Sequence, residues 1–595
     1  MDNLTKKYTH TELAAIIFFL LMAAALLLRT FFGTEITDEA YYVAEAVSML
    51  HGNLPFAYNT SIMSAGGAFL LIPQIFVYEI FKPDLGGIVL YSRISFSVFK
   101  LLVLFMSYCL LKQCIKREHA LLISCFMLPF CSMGSQNYSY NTVPSLLVYL
   151  IALLLYTAIE NKTHSSKYKL IIAGFLTGLS VFAHIGYGVA LVCFLMLIFF
   201  HSSSKERLIN IVSYCLGGII EIGAVFIPIA LQTGIHTIAE GINPAIHPYS
   251  SSAVTNTTWQ SRFASVLEYS KPLLLIGVLS FAVVFLLLQI CVKSSRIHIS
   301  KNDSIKFAFL ISFLVNVFLI CKRNSFADSV IPCKLGVLIF VYSIILGITF
   351  KLFTKRLFLY LALNPIIFSL GMAIFTDSNG TLNRMYYAIP AFAAVCIFFL
   401  ETDANLIRRT AAATTLIIAL ILCVVDCTYV YRDDPLANLT NKVDKGVYAG
   451  IYTTENRAKD LPELEQYLNE KISEGEYYAF RDNVPAGYLM VHQGMMCEPA
   501  AWDRMQYTYH LNSPLDLFAY YKRRQQIPDK IIYVDFGRDE NLSIEDADFK
   551  YNEFVNMYYE LTDDIELNQT FKHIMVYEYN GKFGKDYQRL IDESS

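Results

Sequence analysis

Charged residues are scarce in this 595-residue chain, since Asp, Glu, Lys and Arg make up 16% of it and hydrophobic residues make up 55%. Soluble globular proteins carry about 25% charged residues. That class is therefore excluded, and lipid is expected to solvate much of the chain. The chain also lacks a basic stretch with interleaved aromatic side chains, so no nucleic-acid partner is expected.

Cysteine is nearly absent from the C-terminal part. Twelve of the 13 cysteines precede residue 431, mostly inside apolar runs, where a thiol behaves as a small hydrophobic group. The remaining one, Cys497, has no partner for a disulfide within its own part of the chain. No CxxC pair or His/Cys cluster has metal-site spacing. We therefore expect neither a metal nor another cofactor.

What the chain does contain is apolar runs long enough to cross a membrane as helices. The first lacks a signal-peptide cleavage site and is predicted to be a retained helix. The segment 65–81 is also apolar, but Pro73, Gln74 and Glu79 favour a helix on the membrane interface. Thirteen transmembrane helices are predicted, near 12–31, 92–111, 119–134, 141–159, 169–184, 186–201, 210–231, 271–292, 307–321, 335–351, 357–375, 385–400 and 410–430.

Charge is divided unevenly along the chain. Residues 1–431 carry 29 basic and 20 acidic side chains, whereas residues 432–595 carry 18 basic and 30 acidic ones. Two domains are predicted at that division, and the second alternates helical and strand-like segments typical of a small α/β domain. Basic residues also concentrate in alternate loops, such as "HSSSKERL" and "KLFTKR", which places those loops in the cytoplasm.

The predicted fold class is thus an α-helical polytopic membrane protein with a C-terminal extracytoplasmic α/β domain. Its amino terminus is expected in the cytoplasm of a cell whose plasma membrane it spans. Thirteen crossings then place residues 432–595, called the tail, outside. The first external loop is predicted at 32–91.

An acidic pair opens that loop, in "GTEITDEAYYVAEAVSMLHGNLPF" at residues 33–56. Thr37 is a good N-cap, and Asp38 and Glu39 then fit the first helical turn, where the helix dipole favours negative charge. The helix is amphipathic and is predicted to lie along the membrane, with acids and tyrosines toward a cavity. These face residues are Asp38, Tyr41, Tyr42 and Glu45.

The stretch "DEAYYVAEAVSMLHGNLPF" resembles the first external loop of the GT-C membrane glycosyltransferases, in particular protein O-mannosyltransferases and bacterial lipid A aminoarabinose transferases. "LYSRISFSV" is similar to the Arg-x-x-Ser opening of their second helix. "NRMYYAIPAF" is similar to their Arg-Tyr-apolar-Pro segment before a late helix. Thirteen helices and an external α/β tail also resemble the aminoarabinose-transferase layout.

This resemblance implies transfer of a sugar from a polyprenyl-phosphate donor in the lipid bilayer to an extracytoplasmic acceptor. It implies that Asp38 is the general base and that Glu39 orients the acceptor or supports Asp38. The leaving phosphate needs cations, for which arginine is well suited. The residues expected to bind it are Arg93 and Arg384, with Lys82, Lys322 and Arg323 as weaker candidates and His184 at a position where relatives carry a cation.

His184 stands in "FAHIGYG", where many relatives carry a lysine. Because histidine is only partly protonated near neutral pH, its alternative role is a hydrogen-bonded residue that packs a tight turn. Four aromatic residues are expected to contact the sugar: Tyr41, Tyr42, Tyr138 and Tyr387.

Other function classes share the many helices. A transporter or flippase tends to show internal repeats or mid-membrane charges, whereas here most charges are predicted at helix ends and Asp426 is an exception. A scaffold would not need thirteen helices. A glycan polymerase or ligase is not separated from a glycosyltransferase by the sequence.

Overall fold

The computed structural model describes residues 9–54, 66–130, 136–160, 166–239, 259–294, 300–375, 381–481, 484–497, 526–535, 555–567 and 571–582. Each of the thirteen predicted transmembrane segments contains a helix. Eleven helices in these ranges are long and apolar enough to cross a membrane. The chain is therefore a multi-pass helical membrane protein, as predicted.

The helices of the membrane part follow one another closely. Three of those in predicted spans, α5, α8 and α15, are shorter than the rest, with 11, 14 and 9 residues. The full set is α1 His10–Arg29, α2 Asp38–Leu50, α3 Gly66–Phe81, α4 Ile88–Leu111, α5 Arg117–Met127, α6 Thr142–Glu160, α7 Ser166–Ala183, α8 Gly188–His201, α9 Arg207–Thr233, α10 Trp259–Lys293, α11 Lys301–Arg323, α12 Val330–Thr349, α13 Arg356–Phe375, α14 Thr381–Arg384, α15 Phe392–Leu400 and α16 Asn405–Thr428.

Contacts between loops divide the helix bundle into two ends. The basic loops meet at one end, where Arg356 pairs with Glu160 at 2.6 Å and Lys306 Nζ donates to the Thr402 hydroxyl at 3.0 Å. At the other end the first loop contacts the tail, since the Tyr452 N–H donates to the Phe31 carbonyl at 2.7 Å. We call this the tail-side end. The distribution of basic residues is the one that the positive-inside rule describes.

Helix α3 has both of its ends at the tail-side end. Gly66 lies so close to the backbone of Ala183, the last residue of α7, that a Cβ there would clash. Near the other end of α3, the Tyr78 hydroxyl donates to the Gly86 carbonyl at 2.5 Å. Helix α3 has only 16 residues. Because both of its ends lie at the tail-side end, it does not cross the membrane. The predicted interfacial position fits this geometry.

Helix α2 is buried along nearly its whole length, from Glu39 to Met49. It packs against α3 and against α18, Pro485–Met490, a short helix of the tail. The backbone N–H of Ala486 also donates to the Ile36 carbonyl at 3.2 Å. An element from the far end of the chain therefore covers α2, and its predicted position along the membrane surface stays a prediction.

The tail contains a mixed five-stranded sheet in the order β4-β3-β5-β7-β6. Strands β3, β4 and β5 are parallel, and β7 is antiparallel to β5 and β6. Helices and strands both occur in the tail, so the predicted α/β class is confirmed. The tail elements are β1 Asn441–Lys442, β2 Tyr452–Thr453, α17 Glu455–Lys471, β3 Tyr477–Arg481, α18, β4 Met495–Met496, β5 Lys530–Asp535, β6 Tyr559–Leu567 and β7 Phe571–Tyr579.

The tail and the first loop form one hydrogen-bonded unit, which we call the junction (residues 31–37 with 430–457). The Gly33 N–H donates to the Tyr452 carbonyl at 2.8 Å, and the rings of Phe32 and Tyr452 stack at 5.4 Å. The Asp433 carboxylate accepts from the Thr34 N–H at 2.7 Å. The first loop is thus fixed by residues that follow the last membrane helix.

Gly33 provides a test of how tightly the junction is packed. Its φ is +87°, and a Cβ there would collide with Val430. Gly33→Ala is expected to lower the midpoint of thermal unfolding more than Gly52→Ala, whose φ is +94° with nothing within 4 Å of the added Cβ. Left-handed backbone costs an alanine roughly 1–2 kcal/mol at either site. The difference between the variants measures the collision, and equal losses would contradict a tight junction.

Candidate functional site

The N-terminus of α2 is capped by Glu35. One carboxylate oxygen accepts from the Glu39 N–H at 2.6 Å, and the other accepts from the N–H of Thr37 at 3.0 Å and from its hydroxyl. The Thr37 side chain makes no capping bond. Thr37 occupies the N-cap position as predicted, but Glu35 supplies the side-chain acceptor. Because Glu35 accepts hydrogen bonds from backbone N–H groups at the start of α2, the carboxylates of Asp38 and Glu39 are available to bind side chains from other parts of the chain.

Glu39 forms a buried, two-pronged ion pair with Arg93 of α4. Arg93 Nε and Nη2 each donate to one Glu39 carboxylate oxygen at 2.6 Å. The remaining N–H groups of Arg93 donate to the carbonyls of Thr30, Phe32 and Gly33, at 2.9, 3.2 and 2.7 Å. A guanidinium has five N–H donors, and all are used within the chain. The predicted phosphate-binding role of Arg93 therefore does not fit this structure.

Asp38 is held by two residues that follow the last membrane helix. The Tyr431 hydroxyl donates to one carboxylate oxygen at 2.5 Å, and Arg432 Nη1 pairs with the other at 3.0 Å. Burial and the nearby Asp38 charge raise the pKa of Tyr431, so its hydroxyl remains a donor. Burial lowers the pKa of Arg432, but Asp38, Tyr431 and Glu35 together raise it by more, so Arg432 remains charged.

The acids of this region differ in their access to solvent. The Asp38 side chain is 19% exposed, against 4% for Glu35 and 8% for Glu39. Within the described ranges, no group of three or more His, Cys, Asp or Glu side chains is arranged to hold a metal ion. The expected absence of a metal stays a prediction. Of the three acids, Asp38 is the one placed to meet an external group.

A second cluster, rich in aromatic rings, contains Arg384. Its Nη1 donates to the Asn141 side-chain carbonyl at 3.1 Å, and its guanidinium lies 5.7 Å from the centre of the Tyr140 ring. The Tyr387 hydroxyl also donates to Asn141. The Tyr140 N–H donates to the Tyr42 hydroxyl at 3.1 Å, which links this cluster to α2. The cluster is formed by Tyr42, Tyr140, Asn141, His184, Arg384, Tyr386 and Tyr387.

Within this cluster His184 is a neutral residue. Burial lowers its pKa to about 3, and the charge of Arg384 acts in the same direction. Its Nδ1 accepts from the Gly186 N–H at 2.9 Å. The predicted role of His184 as a phosphate-binding cation therefore fails, and the alternative of a hydrogen-bonded histidine in a tight turn matches the structure.

Two other predicted cations lie outside both clusters. Lys82 is exposed, with its Nζ donating to the Gly86 carbonyl at 3.2 Å. Arg323 is exposed at the end of α11. Among the described residues, no contact joins either of them to Asp38 or Arg384. Their phosphate-binding roles stay predictions without support from proximity.

The remaining predicted tyrosines are core residues. The Tyr138 hydroxyl bonds to Ser95 at 2.8 Å and accepts from Gln74 Nε2 at 3.3 Å, so it joins α3 to α4. Tyr41 packs edge-on against Tyr42, with ring centroids 5.0 Å apart. Both are buried, so their predicted sugar contacts are replaced, in this conformation, by packing.

Sequence reasoning missed Glu35, Tyr431 and Arg432. Glu35 lies two residues before the N-cap, whereas the capping box places its acid three residues after it, so no sequence pattern indicated this acceptor. Tyr431 and Arg432 lie directly after the last apolar run, in "YRDD". An arginine beside acids at the end of a membrane span is typical of the membrane interface. The sequence therefore did not indicate that Arg432 pairs with Asp38.

No protein-family model matches the chain, and no curated protein matches its sequence. Solved structures similar to it include the oligosaccharyltransferase of Archaeoglobus fulgidus with zinc and sulfate, at 10% identity and a TM-score of 0.45 over 93% of this chain and 72% of that one. The same archaeal enzyme, AglB, with an inhibitory peptide and a dolichol-phosphate, is similar at 10% identity and 0.42, over 96% and 74%. Arabinosyltransferase EmbB of Mycobacterium smegmatis is similar at 13% identity and 0.33, over 69% and 40%.

The Glu39–Arg93 pair predicts a specific pattern of stability. Arg93→Gln is expected to destabilise the protein by roughly 3–5 kcal/mol, because Glu39 is left buried without its countercharge. Arg93→Gln combined with Glu39→Gln is expected to recover part of that loss, since no buried charge remains. Chemical unfolding of the purified variants in detergent measures both. Full stability in Arg93→Gln alone would contradict a structural role for the pair.

Proposed function

We propose that this protein is a GT-C-type membrane glycosyltransferase that moves a sugar from a polyprenyl-phosphate donor to an acceptor at the tail-side face of the membrane. The observation that carries the proposal is the partly exposed Asp38 carboxylate at the start of α2, oriented by Tyr431 and Arg432. The resemblance of residues 38–56 to the first loop of these enzymes supports the same reading.

In the proposed reaction the acceptor hydroxyl or amine gives its proton to Asp38 as it attacks the anomeric carbon of the sugar. The bond from that carbon to the phosphate oxygen breaks, and the lipid phosphate leaves with the bonding electrons. General-base help of this kind is worth roughly 10²–10⁴-fold. Arg384 is the cation proposed for the phosphate, because its planar group stays charged and binds two oxygens at once.

The structure changes the part proposed for Glu39 and Arg93. Their pair fixes α2 against α4 and the first loop, so both act as positioning residues for Asp38. We also propose that the tail-side face is extracytoplasmic and the membrane is the plasma membrane. The basic loops at the opposite end support this orientation.

A transporter or flippase is the second candidate, and a buried acid favours it. Glu221 lies within α9 against Gly178 of α7, and neither carboxylate oxygen has a hydrogen-bond partner among the described residues. Acids buried within a membrane span often mark ion or substrate pathways. A glycan polymerase or ligase would share the transfer chemistry and differ only in its acceptor.

Replacing the proposed base gives the direct test. Purified protein in liposomes is expected to consume one of a panel of radiolabelled polyprenyl-phosphate sugars. Asp38→Asn should transfer sugar at least about 10²-fold more slowly while still binding donor. Asp84→Asn, which changes an exposed acid in the turn before α4, is the matched control and should keep the wild-type rate. Wild-type transfer by Asp38→Asn would overturn the mechanism, and movement of intact donor across the bilayer would favour the transporter.

The hydrogen bond from Tyr431 predicts a pH effect. It favours the charged form of the carboxylate it contacts, so Tyr431→Phe should raise the pKa of the Asp38 carboxyl. The acid limb of the rate–pH profile is then expected to move to higher pH. Tyr452→Phe, another tyrosine of the junction, keeps its ring and should leave the profile in place. An unmoved limb in Tyr431→Phe would show that Asp38 is not the group that titrates.

A further inference from the structure

A long groove runs between α1 and α4, which we call the α1/α4 groove. It consists of two adjoining cavities of about 270 and 350 Å³, both bordered by Leu20 and Leu101. Along α1 the lining extends from Ile16 to Leu27. Leu20 is 60% exposed and Leu101 40% exposed, so the groove is open to the lipid phase.

The lining is almost entirely apolar, and Lys100 of α4 is its charged residue. The Lys100 side chain is buried, and its ammonium makes no hydrogen bond or ion pair with any residue that the structure describes. Asp426 of α16 acts on it electrostatically from beyond ion-pair distance. A buried ammonium in an apolar site is costly unless an anion accepts its protons. The groove therefore complements a ligand that is apolar with one anionic group.

The groove leads to the carboxylates. Gln136 borders it and also borders the small space below Glu39 and Arg93. The side-chain oxygen of Gln136 is buried and has no hydrogen-bond partner among the described residues. Side chains on a helix tilt toward its N-terminus, and α4 begins at the tail-side end, so Lys100 is directed toward the same space. The anionic group of a ligand here would face the site of Asp38.

We propose that the α1/α4 groove binds the isoprenoid chain of a polyprenyl phosphate and that Lys100 binds its phosphate. This inference rests on the proposed function, because it places the lipid of the donor. Lys100 would bind the phosphate from the groove, in addition to Arg384 of the aromatic cluster. The gap between a single pair of helices fits one chain better than the two chains of a phospholipid. The groove ends at Gln136, beside the space that Glu39 and Arg93 border.

Native mass spectrometry of the full-length protein tests this with polyprenyl monophosphate and phosphatidylglycerol as competing probes. The wild type is expected to bind polyprenyl phosphate preferentially. Leu101→Trp fills the groove and Lys100→Met removes its cation, so each should weaken binding at least about tenfold. Leu102→Trp is the matched control, because Leu102 is 57% exposed on the same helix and lines neither cavity. Its binding should equal that of the wild type.

Two binding results would overturn the inference. Unchanged binding in Leu101→Trp and Lys100→Met would place the lipid elsewhere, and equal binding of phosphatidylglycerol would make the groove an ordinary lipid contact. Asp426→Asn should bind as well as the wild type or better, since it removes a negative charge near the phosphate. Groove-dependent binding without sugar transfer would leave this site standing and overturn the proposed function. Sugar transfer at the wild-type rate by the Leu101→Trp variant would overturn this inference and leave the proposed function standing.

Discussion

The ion pair between Glu39 and Arg93 holds together the parts of the protein that meet at the site. Arg93 belongs to α4, Glu39 belongs to α2, and the carbonyls of Thr30 and Gly33 that share the guanidinium follow α1. Three separate pieces of chain are thus fixed relative to one point. Buried charges are costly unless every donor and acceptor is satisfied, and here every guanidinium N–H is used. The position of Asp38, one residue before Glu39, follows from that arrangement.

Two arginines divide the neighbouring acids between them. Arg93 neutralises the more buried Glu39, whereas Arg432 pairs with the more exposed Asp38. Arg432 adopts a left-handed backbone with φ of 54°, a conformation that costs energy for a residue with a Cβ. Arg432 has this conformation in the segment that connects the last membrane helix to the rest of the junction. The tail therefore contributes side chains to the site as well as covering α2.

The membrane helices were predictable because apolar length is a local property of the sequence. Strand β5 of the tail was predictable for a similar reason, since it is a short apolar run bounded by turns. The partners of Asp38 were not, because Tyr431 is 393 residues away and no periodicity relates the two. Arg93 was predicted as a site residue that binds phosphate. Its ion pair with Glu39 gives it a structural role instead. The burial of α2 depended on α18, which the sequence alone does not place next to it.

The junction also sets the order in which the protein is completed during synthesis. A ribosome adds about 5–20 residues per second, so the 393 residues between Asp38 and Tyr431 correspond to roughly 20–80 s of translation. Throughout that interval the first loop has emerged, but the strand and side chains that fix it do not yet exist. A shortened chain that keeps every membrane helix and ends before residue 431 would insert with this loop unsupported. Maturation of the site is therefore coupled to completion of the whole polypeptide.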